Sequence, residues 1–420
     1  MSKLIIQNGN MCELDLPLKF AQKLYNEFAI RHPNAFYLRT RQRGMQNWDG
    51  KIHYITKTGQ FKIGLLPKVY DMCIEMGIKP KVVDMRQPLP KVSKVVTNIG
   101  KYKLRPEQEK AVKSVINNRV GDTPFHIGVL DYTVNAGKTL IMSSLYLTYK
   151  KQLKTLLITN DSDWLNQARE EFKQYLPGED ITFVQGKVLN WSNFTIGMVQ
   201  SISRNMRFYQ KELSQIDMVL VDEADQGGSK QYQNVITRLF NTRIRIGLSG
   251  TIYMSKLAKD KVKNMNLECF FGKVIAEFKL KDSIKKGYST KTIVKMVPGK
   301  PWYGNWESDC ISYKEIYDDS ITENNTAWTM AYNRLRWNIN QGRYPALVVC
   351  KHIAHCENLY KFFKKKLGDA YNIAYVHVNT PSKLRQQIMR DFREGKIDIL
   401  VSTTIIARGK NFPKLRYLLN

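Results

Sequence analysis

Apolar runs of four to six residues recur from Lys101 onward: Phe125–Leu130, Thr155–Thr159, Thr195–Val199, Met218–Val221 and Ile244–Leu248. Helix-like stretches separate them. A strand that is apolar at nearly every position needs cover on both faces. Such strands alternating with helices predict βαβ units in a doubly wound parallel sheet. A second series follows, with runs at Ala346–Cys350, Ile373–Val378, Ile397–Ser402 and Leu415–Leu419. The first hundred residues have another texture. Short β-type runs (Leu4–Gln7, Lys51–Ile55) mix with helical stretches (Leu18–Arg31, Leu66–Met76), which fits a small α+β domain. Pro80–Gly100 reads as a linker, and so does 296–311, rich in Pro, Gly and Trp. The pattern predicts an α+β N-terminal domain over 1–90, an α/β lobe over 100–295 and a second α/β lobe over 311–420.

Charge changes the picture of partners more than that of fold. The 420 residues hold 66 Lys and Arg against 37 Asp and Glu, a net +29. Such a field attracts polyanions, nucleic acid first. Residues 1–100 carry 16 basic against 7 acidic side chains, which concentrates part of the excess there. No apolar run reaches 18 residues, and the start lacks the layout of a signal peptide, so neither membrane insertion nor secretion is expected. The six Cys (12, 73, 269, 310, 350, 356) form no CxxC pair, which speaks against a disulfide framework or a cysteine-built zinc site. A reducing cytoplasm is the expected compartment. His352, His355 and Cys356 lie close in sequence, but no fourth metal ligand lies nearby.

Candidate chemistry begins at Asn135-Ala136-Gly137-Lys138-Thr139, between an apolar run and the helical Leu140–Lys151. Strand, tight loop and helix is the setting of a phosphate loop. Loop amides and the helix N-terminus would face phosphates, Lys138 would neutralise them, and Thr139 would ligate Mg²⁺. The match is incomplete, since Tyr132 stands where the usual pattern has its first glycine. A second element supports it. The run Met218–Val221 delivers Asp222 and Glu223 to a strand end, and paired carboxylates there are costly without a cation. Asp222 suits Mg²⁺ and Glu223 suits the general base that activates a water. The two elements, in this order, predict an NTPase.

Asp222-Glu223-Ala224-Asp225 reads DEAD, and the chain resembles a superfamily 2 helicase. That resemblance implies two RecA-like lobes, with ATP and Mg²⁺ as cofactors and nucleic acid as partner. Leu104-Arg105-Pro106-Glu107-Gln108 is similar to the segment that reads adenine, which assigns Arg105 and Gln108 to the nucleotide. Ser249-Gly250-Thr251 is similar to the segment that couples the nucleotide site to nucleic acid. Leu156–Asn160, with Trp164 and Gln167, and Met198–Ser201 resemble nucleic-acid-contacting segments, the latter bringing Gln200 and Ser201. In the second lobe Val348–His352 resembles another motif, with Lys351 toward nucleic acid. Ile399–Asn411 resembles a further one, with Thr403 toward nucleic acid and Arg408, Gly409 and Asn411 toward the nucleotide. Thr404 and Asn411 depart from the acidic residues common there. The family's next motif, which supplies an arginine finger, would follow Asn420, so the natural chain is expected to continue.

Near the N-terminus Arg39, Arg41 and Arg43 precede Asn47-Trp48-Asp49-Gly50-Lys51. Arginines for phosphates and an aromatic for bases are what a nucleic-acid surface uses. Trp48 as a core residue is an equal reading of the same spacing. The segment resembles the N-terminal domain of UvsW-type helicases of T-even phages. This implies unwinding, reannealing or branch migration of branched or forked DNA, in phage replication, recombination and repair, by a monomer or weak oligomer in the host cytoplasm. Two other readings share the motifs: an RNA helicase, and a helicase-like scaffold that binds nucleic acid without turnover.

Overall fold

The computed structural model describes residues 2–41, 44–92, 94–149, 152–186, 190–252, 258–291, 293–296, 312–406 and 412–420. The chain forms two bodies, residues 1–291 and 292–420.

The first body is built on a seven-stranded sheet. From edge to edge it runs Ile181–Val184, Phe194–Met198, Thr155–Thr159, Met218–Asp222, Ile244–Ser249, Ile127–Tyr132 and Val274–Phe278. All pairings are parallel. Five strands follow the apolar runs. The edge strands Ile181–Val184 and Val274–Phe278 escape the sequence pattern because edge strands are only partly covered. Alternate residues of the central strands feed two separate cores. Ile127, Val129, Leu156, Ile158, Val219 and Val221 enter one. Leu130, Leu157, Leu220, Ile246 and Leu248 enter the other.

The first of those cores is shared with the N-terminal residues. A four-stranded sheet, ordered Gln60–Lys62, Met11–Asp15, Lys3–Ile6 and Lys81–Asp84, buries one face only. Its alternation is plain: Leu4, Ile6, Cys12 and Leu14 point inward, and the intervening side chains do not. Those four join Phe28, Phe61 and Leu65 in the same cluster as Leu239 and Phe271 of the lobe. The fit is close enough that a Cβ on Gly64 would lie 2.1 Å from the Glu268 carbonyl oxygen.

Two expectations change. The helix over Leu18–Arg31 stops at Glu27, and Ala29–Arg31 is a strand paired antiparallel with Lys51–His53. The Phe28 carbonyl takes the Tyr54 amide at 2.9 Å instead of continuing the helix. Pro80–Gly100 is not a bare linker. Lys81–Asp84 completes the N-terminal sheet in parallel with Lys3–Ile6. Beyond it Leu89, Val92, Val95 and Val96 pack on the second core, and the Val96 carbonyl accepts from Ser144 Oγ at 2.6 Å. The linker expected at 296–311 lies outside the described residues apart from Met296.

The second body carries a parallel sheet ordered Ile373–Val376, Ile399–Thr403, Ala346–Cys350 and Tyr417–Leu419. Ala346, Val348, Cys350, Ile399 and Val401 face a core with helices Asn325–Asn340 and Ile353–Leu367. Leu347 and Leu400 face another with Met389 and Phe392 of the helix Ser382–Glu394. The molecule is α/β throughout, two RecA-like lobes with a small N-terminal domain.

One buried cation ties the N-terminal sheet to the first lobe. Arg245, on strand Ile244–Ser249, is fully buried. It donates to the carbonyls of Gly9 (2.5 Å) and Phe270 (3.1 Å) and to Asn10 Oδ1 (2.8 Å). Burial lowers its pKa to about 9. Arg245→Met keeps the apolar stem but leaves three buried acceptors without donors, each worth about 1–3 kcal/mol. A loss of about 3 kcal/mol or more is expected. In thermal melts this corresponds to a midpoint roughly 6–12 °C lower, with tryptic cuts appearing first in residues 1–90. An unchanged midpoint would show that Arg245 is not the clamp.

Candidate active site

Strand Ile127–Tyr132 ends on a buried tyrosine, not a glycine. The Tyr132 hydroxyl donates to the Glu107 carbonyl at 2.8 Å, which anchors the strand end. The loop 133–137 follows, and helix Lys138–Thr148 starts directly after it. Gly137 caps the helix at φ +74°, a conformation that favours glycine. A Cβ there would stand 2.3 Å from Gln108 Nε2. Lys138 and Thr139 thus occupy the first turn, where free amides and the helix dipole favour anions.

Asp222 is the last residue of its strand and is 2% exposed. Its Oδ1 is buried and has no hydrogen-bond partner among the described residues. Burial pushes the carboxyl up to about 6; Lys138 opposes this shift, and Glu223 and Asp161 reinforce it. A buried carboxylate oxygen without a donor, within the field of the Lys138 ammonium, fits a hard oxygen-seeking cation such as Mg²⁺. The residues that would hold it are Asp222 and Thr139. Glu223 sits at φ 53° and ψ 49°, in the left-handed region. Among the described residues, Asn135 (φ 64°) and Glu223 are the only non-glycine positions there. Both flank the same site, where backbone strain of about 1–3 kcal/mol each is characteristic of functional residues.

The loop is braced from below. Gln108 Nε2 donates to the Ala136 carbonyl at 2.8 Å, and its Oε1 accepts the Arg105 amide at 2.8 Å. Arg105 Nη2 donates to the carbonyls of Ala136 (2.7 Å) and Asn135 (3.2 Å). In this conformation Gln108, only 1% exposed, supports the phosphate loop and caps its own helix. The resemblance assigns Gln108 to adenine; in this structure its amide hydrogen-bonds to Arg105 and Ala136. Glu107, Lys286 and Tyr288 went unread in the sequence. Glu107 pairs with Arg105 Nε at 3.2 Å and with Lys286 Nζ at 2.7 Å, and the Arg105 guanidinium lies 4.1 Å from the Tyr288 ring centroid. Lys286 and Tyr288 are distant in sequence, so no motif announces them.

Beyond the carboxylates, Ser249 Oγ donates to Asp225 Oδ1 at 3.3 Å and accepts from the Thr251 amide at 3.2 Å. The strand Ile244–Ser249 and the Asp222 turn are therefore joined by one hydroxyl, and Gly250 is the one residue between Ser249 and Thr251. Asn160 donates to Gln226 Oε1. Gln200 Nε2 donates to the Asn160 carbonyl at 3.3 Å, and Ser201 Oγ accepts the Gly186 amide at 2.9 Å. Gln200 and Ser201 are half-buried and act here as braces.

In the second body Thr403 is buried at the end of its strand, and the exposed Lys351 lies 5.6 Å from the centroid of Tyr317. His355 is buried, and burial lowers its pKa to about 4. Among the described residues no group of three His, Cys, Asp or Glu side chains converges on a metal position. Arg408, Gly409 and Asn411 lie outside the described residues.

At the N-terminus Arg39 and Arg41 are exposed on the helix Ala35–Arg41; Arg43 lies outside the described residues. Trp48 is half-buried. Its Nε1 donates to the Lys51 carbonyl at 2.9 Å, and its ring meets His32 edge-on at 5.7 Å. It is a wall of the fold. The exposed aromatics are Phe36 (80%) and Tyr37 (55%), which the sequence reading passed over because Trp48 sits in the more distinctive segment.

Two family models match the chain. Residues 101–254 match the family described as type III restriction enzyme, res subunit, and residues 331–420 match the helicase conserved C-terminal domain. The ATP-dependent RNA helicase CHR1 of Candida albicans is 22% identical over 215 residues, 50% of this chain and 31% of that protein. The competence protein ComFA of Bacillus subtilis is 22% identical over 282 residues, 67% of this chain and 54% of its own length. The chain thus spans about a third to a half of these curated relatives. Among solved structures, phage T4 UvsW superposes with a TM-score of 0.52 at 19% identity, covering 99% of this chain and 83% of that one. Saccharomyces cerevisiae Dbp5, bound to RNA and ADP, gives 0.50 at 15% identity, covering 76% and 74%. At such identities these structures speak for the fold. No helix among the described residues is long and apolar enough to cross a membrane.

The Asp222 carboxyl yields a pH prediction. Without Mg²⁺ it titrates near 6 when folded and near 3.8 when unfolded. Between those values the folded state holds more protons, so its contribution to stability falls as pH rises and is fully lost above about 6. In EDTA, the wild type is expected to lose more stability between pH 4.5 and 7.5 than Asp222→Asn does. Mg²⁺ should restore stability at pH 7.5 and have little effect at pH 4.5. Identical pH profiles for wild type and variant would refute the raised carboxyl.

Proposed function

We propose, from the premise that this chain belongs to superfamily 2 of the helicases, that it hydrolyses ATP to drive movement on branched or forked DNA. The family supplies the coarser statement, a helicase fold that binds ATP. The DNA substrate and its branched form are the proposal. The observation that carries it is that a basic N-terminal domain shares one hydrophobic core with the lobe proposed to bind ATP, pinned by Arg245. A motor and a basic surface built as one body suit a protein that must hold DNA while its ATP site cycles.

The chemistry follows from the site. The amides of the first turn of helix Lys138–Thr148 and the Lys138 ammonium would hold the β- and γ-phosphates. Thr139 and Asp222 would hold Mg²⁺, which neutralises charge on the phosphates when bound. Glu223, fixed by its left-handed backbone just past the strand end, would take the proton from the attacking water. Asp225 would carry the change at this turn through Ser249 Oγ to Thr251. Gln200, Ser201, Lys351 and Thr403 are proposed to track the nucleic acid, as Gly250 and Thr251 couple it to the ATP site. Arg408, Gly409 and Asn411 are proposed to complete the nucleotide contacts.

A second reading is an RNA motor, favoured by the RNA helicase names among the curated relatives. The non-catalytic reading is disfavoured by Lys138, Thr139, Asp222 and Glu223 standing together in order.

ATP hydrolysis is measured with forked DNA, single-stranded DNA and RNA as activators. Forked DNA is expected to stimulate most, and Glu223→Gln to reduce the rate about 10²–10⁴-fold while ATP still binds. Strongest stimulation by RNA would transfer the assignment to the second reading, and wild-type turnover by Glu223→Gln would remove its role as base. The net +29 yields a separate expectation. With on the order of 5–8 phosphates neutralised, log K should fall against log salt with a slope of roughly −4 to −7. A flat response would leave the charge excess without its proposed purpose.

A further inference from the structure

The helix Ala35–Arg41 and the segment 46–51 enclose an open groove of about 500 Å³. Phe36, Arg39 and Thr40 line one side, three or four residues apart on one helical face; Gln46, Asp49, Gly50 and Lys51 line the other, with Arg31 also on the lining. Nothing in the proposed ATP chemistry uses it.

Its composition is specific. The Phe36 ring is 80% exposed, a high value for an aromatic side chain with no role in the core. Arg31, Arg39 and Lys51 are exposed and form no ion pair among the described residues. The lining's one carboxylate, Asp49, is already engaged: Oδ2 lies 2.6 Å from His53 Nε2, and Oδ1 accepts the Lys51 amide at 2.9 Å. The groove therefore offers two exposed guanidinium groups, Arg31 and Arg39, and the Lys51 ammonium beside the Asp49 carboxylate, around one exposed aromatic face. Trp48 holds its wall in shape through the Lys51 carbonyl. On the adjacent helical face Tyr37 is covered by the Arg41 guanidinium, 5.1 Å from its centroid, which extends the cationic and aromatic surface past the groove.

We propose that this groove receives a single unpaired nucleotide of the DNA, its base stacked on Phe36 and its flanking phosphates held by Arg31, Arg39 and Lys51. A protein partner with an acidic patch would satisfy the cations but leave Phe36 in water. A paired duplex would satisfy the cations equally, but its bases are stacked on one another and present no face to Phe36. Only an unstacked base uses both features. The proposal deepens the reading of the chain as a DNA motor. It places recognition of the unpaired strand at a fork in the N-terminal domain, and it makes Phe36, not Trp48, the stacking residue.

The test uses the full chain without ATP, so its outcome does not depend on whether the motor turns over. Binding is measured by fluorescence anisotropy to a forked duplex and to a blunt duplex of equal length. A second fork carries 2-aminopurine at its unpaired junction position, whose emission is quenched by stacking. Phe36→Ala is expected to weaken fork binding about tenfold, to leave blunt-duplex binding within about twofold, and to abolish the 2-aminopurine quench. Phe36→Tyr is expected to restore all three. Arg39→Ala is expected to weaken both duplexes and steepen neither preference. Phe36 is exposed and outside the core, so its truncation leaves the fold intact, which an unchanged melting midpoint verifies. Equal weakening of fork and blunt duplex by Phe36→Ala, or an unchanged quench, would overturn the stacking role. Absence of ATP hydrolysis by wild type with every nucleic acid would instead overturn the motor reading, and is measured separately.

Discussion

Burying an arginine is among the more costly things a fold does, and this one does it where its two N-terminal parts meet. Among the described residues Arg245 has no carboxylate partner; it donates to three oxygens, two of them backbone carbonyls. The contact holds only if the 8–10 turn, the end of the helix reaching Phe271 and the start of strand Ile244–Ser249 are in register together. That strand ends at Ser249, whose hydroxyl meets Asp225. The same element is thus pinned by the N-terminal domain at one end and joined to the carboxylate turn at the other. Any strain on the N-terminal domain is delivered to a rigid, fully paired strand.

The catalytic region is assembled on different terms. Asp222 is buried without a donor at Oδ1, Glu223 and Asn135 sit in left-handed backbone, and Gly137 leaves no room for a side chain. Each feature costs stability, and the surrounding core makes the cost tolerable: the strands flanking Met218–Asp222, namely Thr155–Thr159 and Ile244–Ser249, are buried at every position. Gln108, Arg105 and Glu107 then restrain the loop from a separate helix. The candidate site is a locally unfavourable arrangement held by a large favourable one.

The N-terminal domain shows the same division of labour at smaller scale. Its inward residues Leu4, Ile6, Cys12 and Leu14 belong to the shared core, while Trp48 and His32 stiffen the outer segment. This leaves Phe36 and three cations facing water. A surface that is rigid beneath and unsatisfied above needs little rearrangement to bind.

Much of this was legible in the sequence. Runs apolar at every position can be buried only on both faces, so the central strands and the parallel α/β lobes followed from the pattern alone. Lys138, Thr139, Asp222 and Glu223 stand out in the sequence as candidates because the chemistry proposed for them depends on short spacings at strand and helix ends. Tertiary structure decided what depends on long-range contact. It turned Ala29–Arg31 into a strand and Lys81–Asp84 into part of a sheet, because each found a partner strand that local propensity cannot see. It brought Lys286 to Glu107 and Arg245 to Gly9, pairs 179 and 236 residues apart. It also chose between two aromatics. Trp48 was packed and hydrogen-bonded while Phe36 was left open, because exposure is set by what folds against a side chain and not by the residues beside it in the chain.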